Sequence, residues 1–398
     1  MFLVPLDERR QWYRYHHLFA EVLQVRAQRE VGTEGLAALY TRASRWYEEN
    51  GMPVEAVETA LAATDFTRAA ALIAPLAIPL LLNQQANTLQ QWLERFPPAV
   101  LYTQAFLCLT YACSLFFSTT PQTQTHEAPL AVAERLFEVE GNRAGLGLAA
   151  LVRALAALVR GDGAHVIAFG QQAMRQLPSE ALYERSTGLI ALAEGYQFCG
   201  EIAAARRMVA EARSLHEQTG HVGGVVGDAR VLGDLLVMEG KLEEAGKLFA
   251  RAREEAGKWQ HFTIQALMGL GTIARERNEL EKAEAFLEQS IEIARKTRDP
   301  VLLARASLLR ARVIQARGED ERTRAAFAEA LELAQQCRYV GLVEQAQAYI
   351  RALGLGRRVL RLAEASSLCE GARRWRDHRT DRENLSSAQG ALRQSTHP

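Results

Sequence analysis

A helical hairpin that recurs about every 39 residues constrains this chain more than any other feature. Gly161, Gly200, Gly240, Asn278 and Gly318 fall in one column, at spacings of 39, 40, 38 and 40. Gly and Asn tolerate a left-handed helix cap, so the column marks the turn inside each hairpin. Seven residues before each turn stands Ala154, Ala193, Gly233, Gly271 or Ala311, and twelve after it stands Ala173, Ala212, Ala252, Ser290 or Ala330. Two helices approach closely only where side chains are small, so these columns predict the packing points of the hairpins. A fixed period of this length is the signature of a solenoid.

The remainder of the chain reads mostly as helix. Residues 2–16 are the exception: FLVPL, a charged turn and QWYRYH predict a short β-hairpin. From His17 the apolar spacing becomes helical, with Leu18, Val22 and Val25 on one stripe and Leu39, Ala43, Trp46 and Tyr47 on the next. Pro53 opens a further helix, since proline is accepted in a first turn. Residues 118–130 read as an exposed loop. Beyond Gly354 the pattern decays, and residues 371–398 carry six Arg against three acids, which predicts a disordered basic tail. The expected class is all-α, a right-handed superhelix of helical hairpins.

Lys plus Arg equals Asp plus Glu at 47 each, so no global field draws the chain to nucleic acid or to an anionic membrane. The five cysteines show neither CxxC spacing nor an even framework, which points to a reducing compartment, the cytoplasm. The N-terminus has no signal-peptide pattern. The most apolar stretch, residues 69–82, holds Pro75 and Pro79 and falls short of the roughly 20 residues a membrane span needs.

The segments FLVPLDERRQWYRYHHLFAEVL, YTRASRWYEENGMPVEAVETALAATDFTRAAALI and LQQWLERFP closely resemble the large ATP-dependent LuxR-type regulators of the MalT kind. In that family an NTPase domain leads into a winged-helix module, then a tetratricopeptide-like array, then a helix-turn-helix. The resemblance implies that residues 1–30 are the tail of the winged-helix module and residues 31–353 the array. It leaves 354–398 as a tail without a recognisable helix-turn-helix. It further implies a non-enzymatic sensor and scaffold that binds a small-molecule inducer or a regulatory protein and acts through self-association. A free-standing adaptor for protein–protein interaction is the alternative.

The departures from the family narrow the chemistry. The Gly-Lys pairs at Gly240, Gly246 and Gly257 lack the rest of a phosphate-binding loop, so no ATP site and no cofactor are expected. Sequence-specific DNA binding by this chain alone is not expected either. Gly145–Ala150 and Gly269–Ala274 match a dinucleotide fingerprint in spelling, but neither follows a strand, and helix packing accounts for them. His216, His221 and His261 show no carboxylate or Cys at ligand spacing, so they are read as structural or exposed and no metal is expected. Cys108 and Cys113 are read as small buried hydrophobes.

In tetratricopeptide-type hairpins the second, fifth, ninth, twelfth and thirteenth positions of each first helix face a concave groove. Carried onto this sequence, they select Thr187, Glu194, Gln197 and Phe198 in one repeat and Arg230, Asp234 and Met238 in the next. Gln265, Met268 and Arg275 follow, and then Arg305 and Arg312. The arginines suit carboxylate, phosphate or sugar hydroxyl partners, and Met238, Met268 and Phe198 suit adaptable apolar contact. Two readings stay open here: a binding surface, or an ordinary solvated face.

Overall fold

The structure, a computed structural model, describes residues 3–5, 13–15, 17–82, 85–118, 125–220, 222–257, 259–337 and 339–353. The tail expected beyond Gly354 and part of the loop expected at 118–130 lie outside the described residues. The chain divides into two compact units, residues 1–152 and 153–398.

The first unit opens with β1 (Leu3–Pro5) and β2 (Tyr13–Tyr15), which pair antiparallel with Leu3 opposite Tyr15. Helix α1 (His17–Glu49) is interrupted at Gly32, whose φ of 69° leaves the helical region. There follow α2 (Pro53–Ala62), α3 (Phe66–Leu82), α4 (Ala86–Leu93), α5 (Pro98–Leu101), α6 (Ala105–Phe117) and α7 (Glu127–Glu140). Helix α7 begins inside the segment expected to be loop, so that polar break is shorter than the sequence implies. The core gathers large side chains, among them Leu61, Ile73, Leu89, Trp92, Leu107 and Tyr111. Polar groups brace it: Trp92 Nε1 donates to Glu58 at 2.6 Å, and Arg68 Nε donates to the fully buried Ser44 hydroxyl at 2.8 Å.

Helix α8 (Arg143–Val159) leads into the array. Its successors are α9 (Gly163–Gln176), α10 (Leu182–Phe198), α11 (Ile202–Thr219), α12 (Val222–Met238) and α13 (Leu242–Ala256). They continue as α14 (Gln260–Glu276), α15 (Leu280–Thr297), α16 (Pro300–Ala316), α17 (Asp320–Gln336) and α18 (Val340–Ala352). From α9 to α18 every helix packs on the next, and α10, α12, α14, α16 and α18 also pack each on its successor in that series. Those even-numbered helices therefore form one layer and the odd-numbered helices from α9 to α17 the other, the arrangement of an all-α helical repeat fold.

The turn column predicted from sequence is left-handed at every member, with φ of 72° at Gly161, 77° at Gly200, 74° at Gly240, 60° at Asn278 and 75° at Gly318. Both packing columns are buried throughout. Gly233 shows why one of them is small: a Cβ there would lie 2.4 Å from the Phe249 ring, itself 1% exposed. The glycines of the dinucleotide-like spellings have the same role, Gly145 against Phe137 and Gly269 against Phe249. Among the described residues no helix is long and apolar enough to cross a membrane.

Candidate binding groove

Glu194 on α10, Arg230 and Asp234 on α12 and Arg305 on α16 line a cavity of about 100 Å³. Arg230 donates to Glu194 and, at 3.2 Å, to Asp234 Oδ2. Burial alone would push the Arg230 guanidinium down, but these two carboxylates hold it above its ordinary value. Burial also pushes the Asp234 carboxyl up, against the pull of Arg230. Gln197 and Phe198 stand on the same wall at the C-terminal end of α10.

The opposite wall comes from the far end of the array. Tyr339, Gly341, Leu342 and Gln345 of the last hairpin line the cavity together with Leu158 and Gly161 of the first. A Cβ at Gly341 would meet the Val159 carbonyl at 3.0 Å and the Gly161 nitrogen at 3.3 Å. The second unit therefore closes on itself, backbone against backbone, and any side chain at 341 would have to push those backbone atoms away by a few tenths of an ångström. Burial raises the Tyr339 phenol above its ordinary value.

An array of this kind matches a known family model. The MalT-like TPR region aligns with residues 147–395, well over half of the chain, and the MalT winged helix domain aligns with residues 1–34. The chain belongs to the MalT-like TPR family. The HTH-type transcriptional regulator MalT of Yersinia pestis is 26% identical over 300 residues, which cover 74% of this chain and 32% of the relative. The serine/threonine-protein kinase PknK of Mycobacterium tuberculosis is 33% identical over 146 residues, 37% of this chain and 12% of the kinase. The chain thus spans about a third or less of the length of these relatives. In fold it is similar to a Rap protein complexed with competence and sporulation factor, at a TM-score of 0.52 and 14% identity, covering 87% of this chain and 96% of that one. A second Rap protein, the conjugation regulator of plasmid pLS20 in complex with the Phr* peptide, matches at a TM-score of 0.50 and 12% identity over 79% of this chain and 86% of that one.

Within this MalT-like array, six of the twelve residues selected from sequence meet at the cavity: Glu194, Gln197, Phe198, Arg230, Asp234 and Arg305. Met238 stands 52% exposed, with Gln197 Nε2 3.6 Å from its sulfur. Thr187 is half-buried and its hydroxyl donates back to the Tyr183 carbonyl. Gln265 contacts His261 at 2.8 Å. Arg275 pairs with Glu276, and Arg312 lies over the Tyr349 ring at 5.0 Å from its centre. Met268 is a correction: it is 4% exposed and packs in the core with Ile264 and Leu287, so it offers a ligand nothing. The fifth helix position sits at the border between groove and core, and a side chain there goes whichever way its neighbours leave room.

The cavity wall from Tyr339 to Gln345 was not selected from sequence. Adding one more period of 40 to Arg305 lands on Gln345, so the period itself carried that signal. His216 is 6% exposed and its Nδ1 lies 2.9 Å from Asp228, while His261 Nδ1 lies 3.2 Å from Asp299. Both have carboxylate partners that sequence spacing conceals, and His221 lies outside the described residues. Among the described residues no three His, Cys, Asp or Glu side chains gather as a metal site. Cys108 is fully buried, its thiol donating to the Leu101 carbonyl at 3.2 Å, and burial pushes it up to about 11 and Cys113 up to about 12. Neither is poised to react as a thiolate.

Proposed function

We propose that this chain is the sensor and scaffold segment of a MalT-like transcriptional regulator, non-enzymatic, and that it binds an inducer or a protein partner in the groove of its inner helices. The observation that carries this reading is the cavity at the closure of the array. It is built from both ends of the repeat series, so whatever occupies it contacts the first hairpin and the last together. Binding there changes the free energy of the closed arrangement by the ligand's differential affinity for closed and open forms, and by no more. A population shift of that kind would couple occupancy to self-association. The peptide complex of the similarly folded pLS20 Rap regulator supports a groove of this fold as a place for a peptide, and the DNA-reading and ATP-hydrolysing steps are left to other parts of such a regulator.

The test is a thermal-shift screen of metabolites and short peptides, repeated on a variant carrying Phe198→Ala and Met238→Ala. Both side chains are about half exposed, so their loss leaves the core untouched. Ligands whose shift is weakened in that variant, and which alter the molecular mass seen by light scattering, are the expected result. Ligands that bind the variant as well as the parent chain, or turnover of ATP by this chain, would overturn the reading.

A further inference from the structure

Three of the four charged side chains in the cavity satisfy one another, since Arg230 lies between Glu194 and Asp234. Arg305 attracts Asp234 from a distance but is in direct contact with neither carboxylate. It is half-buried, and among the described residues it makes no hydrogen bond and no ion pair. A guanidinium carries five donors in a fixed fork, and a charge withdrawn from water without an acceptor is a costly arrangement to hold.

Seven residues further along α16 the situation repeats. Two helical turns place Arg312 on the same face as Arg305, about 10 Å along the axis. Arg312 is half-buried too, and among the described residues it has the Tyr349 ring under it but no carboxylate within ion-pair distance. Burial first, then the Arg275 guanidinium, push the Arg312 group below its ordinary value, against the weaker pull of Tyr349 and Glu276. Arg275 has its own counter-charge in Glu276.

We propose that the inner face of α16 receives a ligand bearing two anionic groups, carboxylates or phosphates, about 10 Å apart, one on Arg305 and one on Arg312. This rests on the groove reading given above and narrows it to an anionic ligand. Both forks pair bidentately with carboxylate or phosphate oxygens, the geometry in which arginine binds best. Tyr339 and Gln345 stand beside the Arg305 end of the cavity and supply neutral polar contacts. A neutral ligand would leave both guanidiniums as they are.

The probes are decaglutamate and a linear inorganic polyphosphate of about ten units, which offer carboxylate and phosphate charge at every spacing the face could read. Calorimetric titration of the chain is expected to detect binding of at least one probe, and the tighter of the two identifies the source of the charge. Arg305→Gln and Arg312→Gln should each weaken it roughly tenfold or more, as expected for loss of a charge-assisted pair away from bulk water. Arg251→Gln, on the exposed side of α13, should leave it unchanged. Should either glutamine variant misfold, the Nε–Hε resonances of Arg305 and Arg312 in the parent chain give an independent reading and must move on titration. Absence of binding below millimolar concentration, binding indifferent to the double variant, or resonances that stay still would overturn the proposal. Ligands from the earlier screen that are lost with Phe198 and Met238 but kept by the double arginine variant would sink the anionic assignment and leave the groove reading standing. Ligands kept by both variants would sink the two together.

Discussion

The two units solve the same packing problem with different materials. In residues 1–152 the helices are unequal, from 4 residues in α5 to 33 in the kinked α1, and large side chains such as Trp92, Ile73 and Tyr111 fill the gaps between them. In residues 153–398 the helices from α9 onward run 13–18 residues, and small residues let their backbones come close. The first is held by a three-dimensional core in which each side chain touches several elements. The second is held by neighbour contacts repeated along a line, plus one contact that joins the ends of the line. Irregular cores fail as a whole, whereas arrays of repeats fail locally unless something couples their ends.

The largest expected effect comes from removing a large buried ring from each unit. Trp92→Ala and Phe249→Ala should each destabilise by about 3–5 kcal/mol, because each leaves a cavity lined by residues that relax only in part. Urea unfolding measures the magnitude, and amide hydrogen exchange separates the two units. Trp92→Ala should raise exchange throughout α2–α6, since it also leaves Glu58 with Arg95 alone. Phe249→Ala should raise it in α12, α13 and α14, between whose glycines the ring is clamped. Uniform loss of protection across the whole second unit would mean that end-to-end closure, and not neighbour contact, dominates there.

Gly341 tests that closure directly. Gly341→Val places a Cβ 3.0 and 3.3 Å from backbone atoms and two methyl groups beyond it, and neither atom belongs to a flexible side chain that can swing aside. The expected loss is about 1–3 kcal/mol, the range for overpacking. It should come with faster exchange at residues 158–162 and 340–345, far apart in sequence. If stability falls but only α18 loosens, the seam is a passive contact.

These cases also mark where sequence is a sufficient guide. The turn column and the two small-residue columns were legible because each follows from a local demand, a left-handed φ or a close helix approach, repeated five times. The first unit offers no such repetition. That Arg68 on α3 would reach Ser44 on α1 depends on the lengths of unequal elements, and no period encodes those. The groove residues lie between these extremes. Glu194, Arg230, Asp234 and Arg305 follow from the repeat register, while Met268 fell to the core side of a border position. The closure was invisible for another reason: it arises from a small rotation per hairpin accumulated along the array, and a sequence alignment of repeats contains no rotation.

A smaller effect, of opposite sign, is expected at the left-handed turns. Arg298 has a φ of 55° where the equivalent helix ends carry Gly220 and Gly257. Arg298→Gly removes a Cβ clash worth about 1–2 kcal/mol and adds back roughly 0.5–1 kcal/mol of chain entropy in the unfolded state. A net gain of about 0.5–1 kcal/mol should appear as a higher melting temperature. Gly240→Ala, the reverse exchange at φ 74°, should lose about as much. Equal melting temperatures for both variants and the parent would mean that the turns bend to suit their residue and do not set the hairpin.

The finest distinction lies between two carboxylates of the second unit that titrate in opposite senses. Glu239 is hydrogen-bonded first by Arg206, Nε to Oε1 at 2.9 Å, and then by Lys241, and these bonds lower it from 4.5 to about 2. A carboxyl lowered by folding stabilises above its unfolded value and loses that contribution as pH falls from about 4.5 towards about 2. Arg206→Gln should therefore lower the urea midpoint at pH 7, and the gap from the parent should narrow through that window and close below it. Asp234 is raised, because burial outweighs Arg230, so its sign is reversed. The stability it contributes is present at low pH and is lost as pH rises through its folded value. Asp234→Asn, which cannot ionise, should gain on the parent chain as pH rises through the carboxyl's folded value. An Asn variant that falls behind over that rise would mean that the attraction of Arg230 and Arg305 exceeds the penalty of burial, and that the cavity holds its own anion more firmly than its geometry implies.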